Sequence, residues 1–537
     1  MRIGIDFDNT IACYDGLCAA LAAEQGLIPK GEASTKAEVK RMLLESKEGM
    51  TKWQRLQGQM YGPYMKKADL YPCFLRFLFR CKLLGHEIFI VSHKTEYGHF
   101  DETKTPLRQA SIEWMREQGL IQPSDFGIDP NNIFFESTRN EKVIRIKKLN
   151  LDLMIDDLVE VLLDQNFPDI RKILFNEPSP TFLEETYPSW DAISNALFGS
   201  WTNSEAAQIC ECLTGEIGVS NVERVKHGAN SEVFKVSLDN GSTCALKIYP
   251  DRKLDPRPRM KTESVAFEIT NKTCCTPKVI ATSASLDVAV YSWLEGKKID
   301  QPTNADLESL VGFMIKLRQL SKEIRFDSIA KASESCTSAT DLFSQIQKRR
   351  NELRHLESAV LNNFLFDSFD PCFSLVQDFA LDVWPHPVEK PLARSQLTLS
   401  PSDFGFHNAV RCSTNALCFF DFEYFGWDDP VKVIADLQWH PGMSLTRENK
   451  AYLTGALLGV YSEDLELPER LKASWALYGL RWALILLNVF KPWKRNDYVH
   501  GANDNDVASE MVQHMQLRKS ESIINLINQT EMRCPYV

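Results

Sequence analysis

The sequence predicts two domains of different class: an α/β domain on a parallel sheet over residues 1–198, then an α+β domain over residues 199–537. Three observations lead there. The chain has 537 residues, whereas a single hydrophobic core stops growing near roughly 250–300. Short apolar runs alternate with helical stretches through the first part, the pattern of parallel strands joined by crossover helices. Beyond residue 200 the pattern changes to strand pairs with tight turns, followed by a long helical region.

In order along the chain, strands are expected at 2–6, 86–91, 132–135 and 151–155, and helices at 70–84 and 106–118, the second stopped by Gly119. Between the first strand and Leu70 lies an insertion (about 12–70) rich in Ala, Lys, Glu, Gln and Met, which reads as helical and would sit over the end of that strand. Residues 176–181 read as a loop, and 197–204 as a linker ending in an N-cap serine, so the boundary falls near residue 200. A hairpin follows within 219–250, its strands at 233–238 and 243–249 joined by Asp239, Asn240 and Gly241. A second strand pair within 277–292 surrounds Ser285, Leu286 and Asp287. After Gly296 the chain reads as helical, with one strand-like interruption at 418–422.

Composition excludes several classes. With 44% hydrophobic and 25% charged residues the chain is globular, not disordered or fibrous. The balance of 61 Lys+Arg against 72 Asp+Glu, a formal charge of −11, argues against a nucleic-acid or anionic-membrane binder, which needs clustered positive charge. Fourteen cysteines are too dilute for a disulfide scaffold. Cys210 with Cys212 and Cys274 with Cys275 lack zinc-ribbon spacing and read as reduced core thiols. Asp6 and Asp8 stand where a signal peptide would need an apolar run. No run approaches the ~18 uninterrupted apolar residues of a membrane span, and 482–490 reads as a buried helix. No membrane insertion and a cytoplasmic location are expected; oligomeric state leaves no signal in the sequence.

Chemistry is concentrated in two constellations. In the first, Asp6 and Asp8 sit two apart directly after a strand, where the carboxyl ends of parallel strands face a ligand crevice. One carboxylate there could attack phosphorus and the other could protonate the leaving oxygen. Asp156 and Asp157 follow a second apolar strand and offer the hard oxygen donors that suit Mg²⁺. Ser92 ends a third strand and could hold a phosphate oxygen, and Lys142 could add positive charge to the same group. Taken singly, each of these is a commonplace of loops and helix caps. Their placement at the ends of three strands is not.

Asp6 to Thr10, Ile90 to Ser92, Lys142 and Ile155 to Asp157 resemble the four motifs of the haloacid-dehalogenase-like (HAD) phosphohydrolases, in order, over roughly residues 1–195. The resemblance implies a Rossmann-like domain with a small helical cap, Asp6 as phosphorylated nucleophile and Asp8 as general acid/base. It implies Ser92 and Lys142 on the phosphoryl oxygens, and Mg²⁺ on Asp6, Asp156 and the Asp8 carbonyl. Lys147 and Lys148 are the alternatives to Lys142. Asp157 is either a further metal-shell group or a helix cap.

In the second constellation Gly228 lies in a strand–loop–strand whose amides could cover phosphate oxygens. Lys247 sits among apolar neighbours on the following strand, with Glu263 on the next helix as its partner and Glu268 as the alternative. Phosphoryl transfer needs a carboxylate aimed at the acceptor hydroxyl and oxygen ligands for Mg²⁺; Asp403, Asn408 and Asp421 could supply them. These residues, with the segment from Asp421 to Pro430, resemble the aminoglycoside phosphotransferase and choline kinase-like family, which shares the two-lobed protein-kinase fold. The resemblance covers roughly 205–440. It implies an N-lobe over about 205–296, a hinge for adenine at Tyr291 to Gly296, and a helical C-lobe over about 297–537. By it, Asp403 is the base, Asn408 and Asp421 hold Mg²⁺, and Gly228, Lys247 and Glu263 attend to the ATP phosphates. The family usually carries His-Gly before the base; here Pro401 and Ser402 stand there, and the loop-bracing histidine is missing.

Together the two resemblances imply a bifunctional enzyme: a Mg²⁺-dependent phosphatase fused to an ATP-dependent kinase for a small hydroxyl-bearing metabolite such as a sugar or amino alcohol. The alternative is an active phosphatase carrying a weak or inactive kinase-like nucleotide- or ligand-binding regulator.

Overall fold

A computed structural model describes residues 1–100, 103–121, 127–177, 183–225, 231–253, 255–272, 275–491 and 505–537. They form two compact units, one of residues 1–212, 250–257 and 283–287, the other of 213–249, 258–282 and 288–537.

The first unit is built on a six-stranded sheet of β1 (Arg2–Ile5), β2 (Glu87–His93), β3 (Ile133–Glu136), β4 (Leu153–Asp156), β5 (Arg171–Phe175) and β6 (Thr186–Tyr187). Its order is β3-β2-β1-β4-β5-β6, and all neighbours run parallel. The order reverses at β1, so a crevice opens outside the carboxyl ends of β1 and its two neighbours. Alternation along β2 sends Ile88 and Ile90 into one apolar layer and Phe89 and Val91 into another, so the sheet is covered on both faces. Close packing demands a glycine at the sheet centre. A Cβ on Gly4 would stand 2.5 Å from Leu151 Cδ1 and 2.7 Å from Met154 Sδ.

The insertion expected over 12–70 is three helices, Asp15–Glu24, Lys36–Leu44 and Gly49–Tyr61. Its ends are tied by an antiparallel ladder pairing Ala12 with Leu70 and Cys13 with Asp69. Thr35 and Glu38 form a reciprocal capping box that starts the second helix. The helix expected from residue 70 therefore begins at Phe74, because Leu70 is in the ladder and the Tyr71 amide donates to the Ile11 carbonyl. Neither β5 nor β6 was expected. The first carries only three consecutive apolar residues and the second is two residues long, too short for periodicity to register.

The second unit opens with a five-stranded sheet of β7 (Val219–Arg224), β8 (Glu232–Leu238), β9 (Thr243–Ile248), β10 (Val279–Ser283) and β11 (Val288–Ser292), in the order β10-β11-β9-β8-β7. The expected β8–β9 hairpin is present, with Gly241 at φ +83° in its turn. Helix Arg259–Thr270 lies between β9 and β10. The remainder is mainly helical, as expected, but two small antiparallel sheets interrupt it. One pairs Thr398–Ser400 with Gly426–Asp428; the other joins Lys297–Lys298, Ala409–Arg411 and Leu417–Phe419. Each strand has two or three residues, again below periodicity. Residues Leu467–Phe490 are long and apolar enough to cross a membrane by length and composition, yet most of that stretch is buried inside the fold. Helix Leu467–Leu486 packs Trp475, Tyr478 and Leu480 into the core.

Several expectations are corrected. Cys210 is buried, but Cys212 and Cys275 are exposed rather than core thiols, and Cys274 lies outside the described residues. Ser204 is inside its helix, which starts at Asn203 with the Thr202 hydroxyl accepting from the Glu205 amide. Cys275 is joined by a disulfide to Cys418, 143 residues away. Sequence spacing carries no information about such a distant pair.

Candidate functional sites

In the first unit the parallel register, with Ile5 opposite Ile90 and Ile155, brings Asp6, Ser92 and Asp156 to one end of the sheet. The Asp6 amide donates to the Ile155 carbonyl at 2.9 Å, which seats it beside β4. Lys142 arrives from helix Arg139–Lys148, whose first turn is set by a Thr138–Glu141 capping box. Its ammonium lies 2.5 Å from Asp6 Oδ1 and 2.6 Å from Asp156 Oδ2, while Lys147 and Lys148 on the outer face are exposed. Of the three lysines, Lys142 is thus the one that reaches Asp6 and Asp156.

Asp6, Asp156 and Asp157 place one carboxylate oxygen each within 4.8 Å of one another. Asp157 also accepts from Asn9 Nδ2 at 3.1 Å, so it belongs to this cluster; the amide of Leu158 is instead held by Asp156. Burial pushes Asp156 up to about 6 and Asp157 well above the usual carboxylate range; the Asp6 charge raises both, and Lys142 opposes. Three acids against one lysine, with oxygen donors only, is the chemistry of a hard divalent cation site.

Asp8 faces the other way. Its Oδ1 accepts from Lys94 Nζ at 2.9 Å and from the Tyr14 hydroxyl at 2.5 Å. Its side chain is outside the three-acid cluster. Above it, the insertion sends Lys36 Nζ to Asn9 Oδ1 and to the Tyr61 hydroxyl, both at 2.7 Å. Lys94, Tyr14, Lys36 and Tyr61 were not singled out from the sequence. Lys94 had a signal, since it lies two residues past Ser92; the others come from the insertion, where charge and aromatic content are uninformative.

In the second unit Gly228 lies outside the described residues. Lys247 on β9 bonds Glu263 at 2.8 Å and Asp421 at 2.6 Å, with Glu423 at 3.4 Å. Glu268 is exposed on the same helix as Glu263 and takes no part. Glu263 is fixed further by the Tyr249 hydroxyl at 2.5 Å and the Phe422 amide at 3.1 Å. Burial pushes the Glu263 carboxyl up to about 7, with Lys247 opposing and Asp421 and Glu423 adding to the rise. Glu263, Asp421 and Glu423 form a second acidic trio within 4.8 Å, and Arg259 braces Glu423 at 2.7 Å. Asp421 lies two residues past its strand at φ +67°, a left-handed turn that aims its carboxylate back at Lys247.

Asp403 and Asn408 occupy the loop between Thr398–Ser400 and Ala409–Arg411. Asn408 Nδ2 donates to the Asp403 carbonyl at 3.0 Å, and its own carbonyl accepts from the Phe420 amide at 3.0 Å, tying this loop to the Asp421 segment. Two histidines from other places stand beside Asp403. His407 Nε2 lies 3.0 Å and His440 Nε2 3.5 Å from Asp403 Oδ1. Burial alone would raise the Asp403 carboxyl, but the His407 hydrogen bond and the charges of His407, His440 and Lys432 hold it below the usual value. Ser402, in the place of glycine, has φ +68°; its hydroxyl accepts from Lys432 Nζ at 2.8 Å and donates to the Ser333 carbonyl at 3.2 Å.

Residues 221–472 match the model of the phosphotransferase enzyme family. The C-terminal part is thus similar to phosphotransferases over just under half of the chain. Among solved structures, the chain is similar to spectinomycin phosphotransferase in complex with ADP and spectinomycin (9% identity, TM-score 0.42, 60% of this chain and 98% of that one). It is also similar to choline kinase from Cryptosporidium parvum Iowa II (12% identity, TM-score 0.40, 60% and 97%). A curated protein of Oceanobacillus iheyensis, "Putative nucleotidase OB0422", is 25% identical over 167 residues, covering 30% of this chain and 79% of the relative.

Proposed function

We propose that the chain is a bifunctional phosphoryl-transfer enzyme, an ATP-dependent kinase for a small hydroxyl-bearing metabolite joined to a phosphatase. The observation that carries the kinase half is Lys247 held between Glu263 and Asp421 at 2.8 and 2.6 Å, within a segment that matches the phosphotransferase model. Asp403 accepts the proton of the acceptor hydroxyl as its oxygen attacks the terminal phosphorus. Lys247, oriented by Glu263, sets the position of the nucleotide phosphates. Asn408 and Asp421 would hold a divalent cation, Mg²⁺ by their oxygen donors, which supplies charge neutralisation on the phosphates. The double histidine contact on Asp403 favours this reading over an inactive nucleotide binder, since a regulator needs no base held ionised.

In the first unit, support comes from Asp6 and Asp8 at the end of β1 with opposite surroundings. Asp6, against Lys142, points at the acidic cluster and acts as nucleophile on phosphorus. Asp8, against Lys94 and Tyr14, is turned away to protonate the leaving oxygen and then to take a proton from water. Asp6, Asp156 and the Asp8 carbonyl would hold a divalent cation that offsets the charge of the phosphate and the carboxylates. Ser92 and Lys142 hold phosphoryl oxygens, and the three-helix insertion is the cap. The domain is thus a HAD-like, Rossmann-type phosphatase over 1–198, and the nucleotidase-named relative is consistent with it. A kinase and a phosphatase in one chain point to consecutive steps on one metabolite.

The test is ATP consumption and phosphate release with Mg²⁺ over a panel of sugars, amino alcohols and their phosphates. Asp8→Asn should sharply lower only phosphate release and Asp403→Asn only ATP-dependent phosphorylation. An Asp403→Asn enzyme that matches wild type on every phosphorylated acceptor would refute the kinase mechanism.

A further inference from the structure

Three cysteines meet at the edge of the second unit, outside both sites. Cys412 and Cys418 flank the turn of the Ala409–Arg411/Leu417–Phe419 hairpin. The Cys412 amide donates to the Ala416 carbonyl and the Asn415 amide to the Cys412 carbonyl, both at 2.9 Å, with Asn415 at φ +61°. Cys275 reaches them from the segment before β10, where its carbonyl accepts from the Phe419 amide at 2.9 Å. Backbone bonds therefore hold the three residues together independently of any sulfur–sulfur link.

All three sulfurs lie within 4.8 Å of one another. The disulfide accounts for Cys275 and Cys418, yet Cys412 Sγ also stands 2.7 Å from Cys418 Sγ. One sulfur thus faces two partners, and a disulfide can satisfy only one of them. With the bridge open, a single metal ion would engage all three at once. Among the described residues no histidine or carboxylate belongs to the group, so its donor set is wholly soft.

We propose that Cys275, Cys412 and Cys418 bind one thiophilic divalent cation of the zinc class once a thiol reductant, oxidised to its own disulfide, has supplied two electrons and two protons to open the Cys275–Cys418 bridge. The described side chains supply three of the four positions of a tetrahedral thiolate site. The ion would fasten the hairpin leading to Asp421 against the segment leading into β10, a structural role apart from the oxygen-ligated cation at Asp421 itself. Burial raises the Cys412 thiol above its ordinary value, so uptake of the ion releases its proton.

The experiment uses the full chain, purified under a phosphine reductant without added metal. Zinc is measured by mass spectrometry, and Co²⁺ is then titrated into chelator-stripped protein. Expected are about one zinc per chain and an intense thiolate-to-cobalt charge-transfer band, the optical mark of cysteine ligation. Cys412→Ser should lose both while Cys336→Ser, a buried thiol elsewhere, keeps them; the wild-type cobalt spectrum stands even if a variant misfolds. Absence of zinc and of the band from reduced wild type, with all three thiols freely alkylated, overturns the proposal. So does a non-reducing peptide map in which the reductant-treated protein keeps the Cys275–Cys418 bridge and holds no metal.

Discussion

The imidazoles of His407 and His440 lie parallel, their centroids 3.8 Å apart at an interplanar angle of 6°, and both direct Nε2 at the same oxygen of Asp403. The Gly442 amide donates to His440 Nδ1 at 3.0 Å, which leaves the His440 hydrogen on Nε2, facing Asp403. The candidate base is thus gripped by a neighbour four residues on and by a residue at the end of helix Pro430–Trp439.

Removing the closer grip should slow the kinase without abolishing it. His407→Gln is expected to lower kcat about 10-fold, the scale for a group that orients a reactive one. Asp403→Asn should cost about 10²–10⁴-fold. Because His407 helps to hold the Asp403 carboxyl low, His407→Gln should also move the acidic limb of the kcat/KM profile to higher pH. An unmoved limb with a lowered kcat would mean that His407 does not act on Asp403.

His440 supplies a test by stability. Burial, with the His407 charge adding, lowers it to about 4, against Asp403 and Asp436, which raise it. An imidazole kept neutral in the fold leaves the unfolded chain binding more protons between about 6.5 and 4. Its contribution is complete above the unfolded value and is lost as pH falls through that window, about 3 kcal/mol in all. Thermal unfolding of His440→Asn against wild type should therefore show a difference that shrinks from pH 7 to pH 4. A constant difference would show that the imidazole titrates alike in both states.

Lys142→Met should strand Asp6 and Asp156. Taking one partner from a buried ion cluster costs about 3–5 kcal/mol, and Lys142 is only 1% exposed. Phosphate release should fall with it. Since the stranded carboxyls are relieved by protonation, the loss measured by urea unfolding of the first unit should be smaller at pH 5 than at pH 7.5. Equal losses at both would show that the acids were not paired to Lys142.

Ser402 separates strain from bonding. Ser402→Ala keeps the left-handed backbone and loses both hydroxyl bonds, whereas Ser402→Gly loses the bonds and the strain together. The glycine variant should be the more stable of the two by about 1 kcal/mol in urea unfolding. Equal stabilities would show that this backbone costs nothing.

Much of both sites was legible because it lies close to its own signal. Asp6, Ser92 and Asp156 each follow an apolar run, and parallel strands bring such ends together whatever the intervening chain does. Lys142 rather than Lys147 follows from helical geometry only after the capping box has set where the helix starts. Glu263 rather than Glu268 follows from which face of its helix is buried. Strands of two or three residues escaped, since so few side chains cannot show a period.

By itself the sequence determined the two domain classes, the helical insertion and the identity of most acids and lysines in both clusters, because hydrophobic periodicity and strand-end position are local properties. Tertiary structure alone decided what surrounds them. Lys36 and Tyr61 over Asp8, Glu423 beside Lys247, His440 on Asp403 and the convergence of Cys275 with Cys412 and Cys418 join residues tens to hundreds of positions apart. Their proximity comes from packing many weak apolar contacts at once. No single stretch of chain records that outcome.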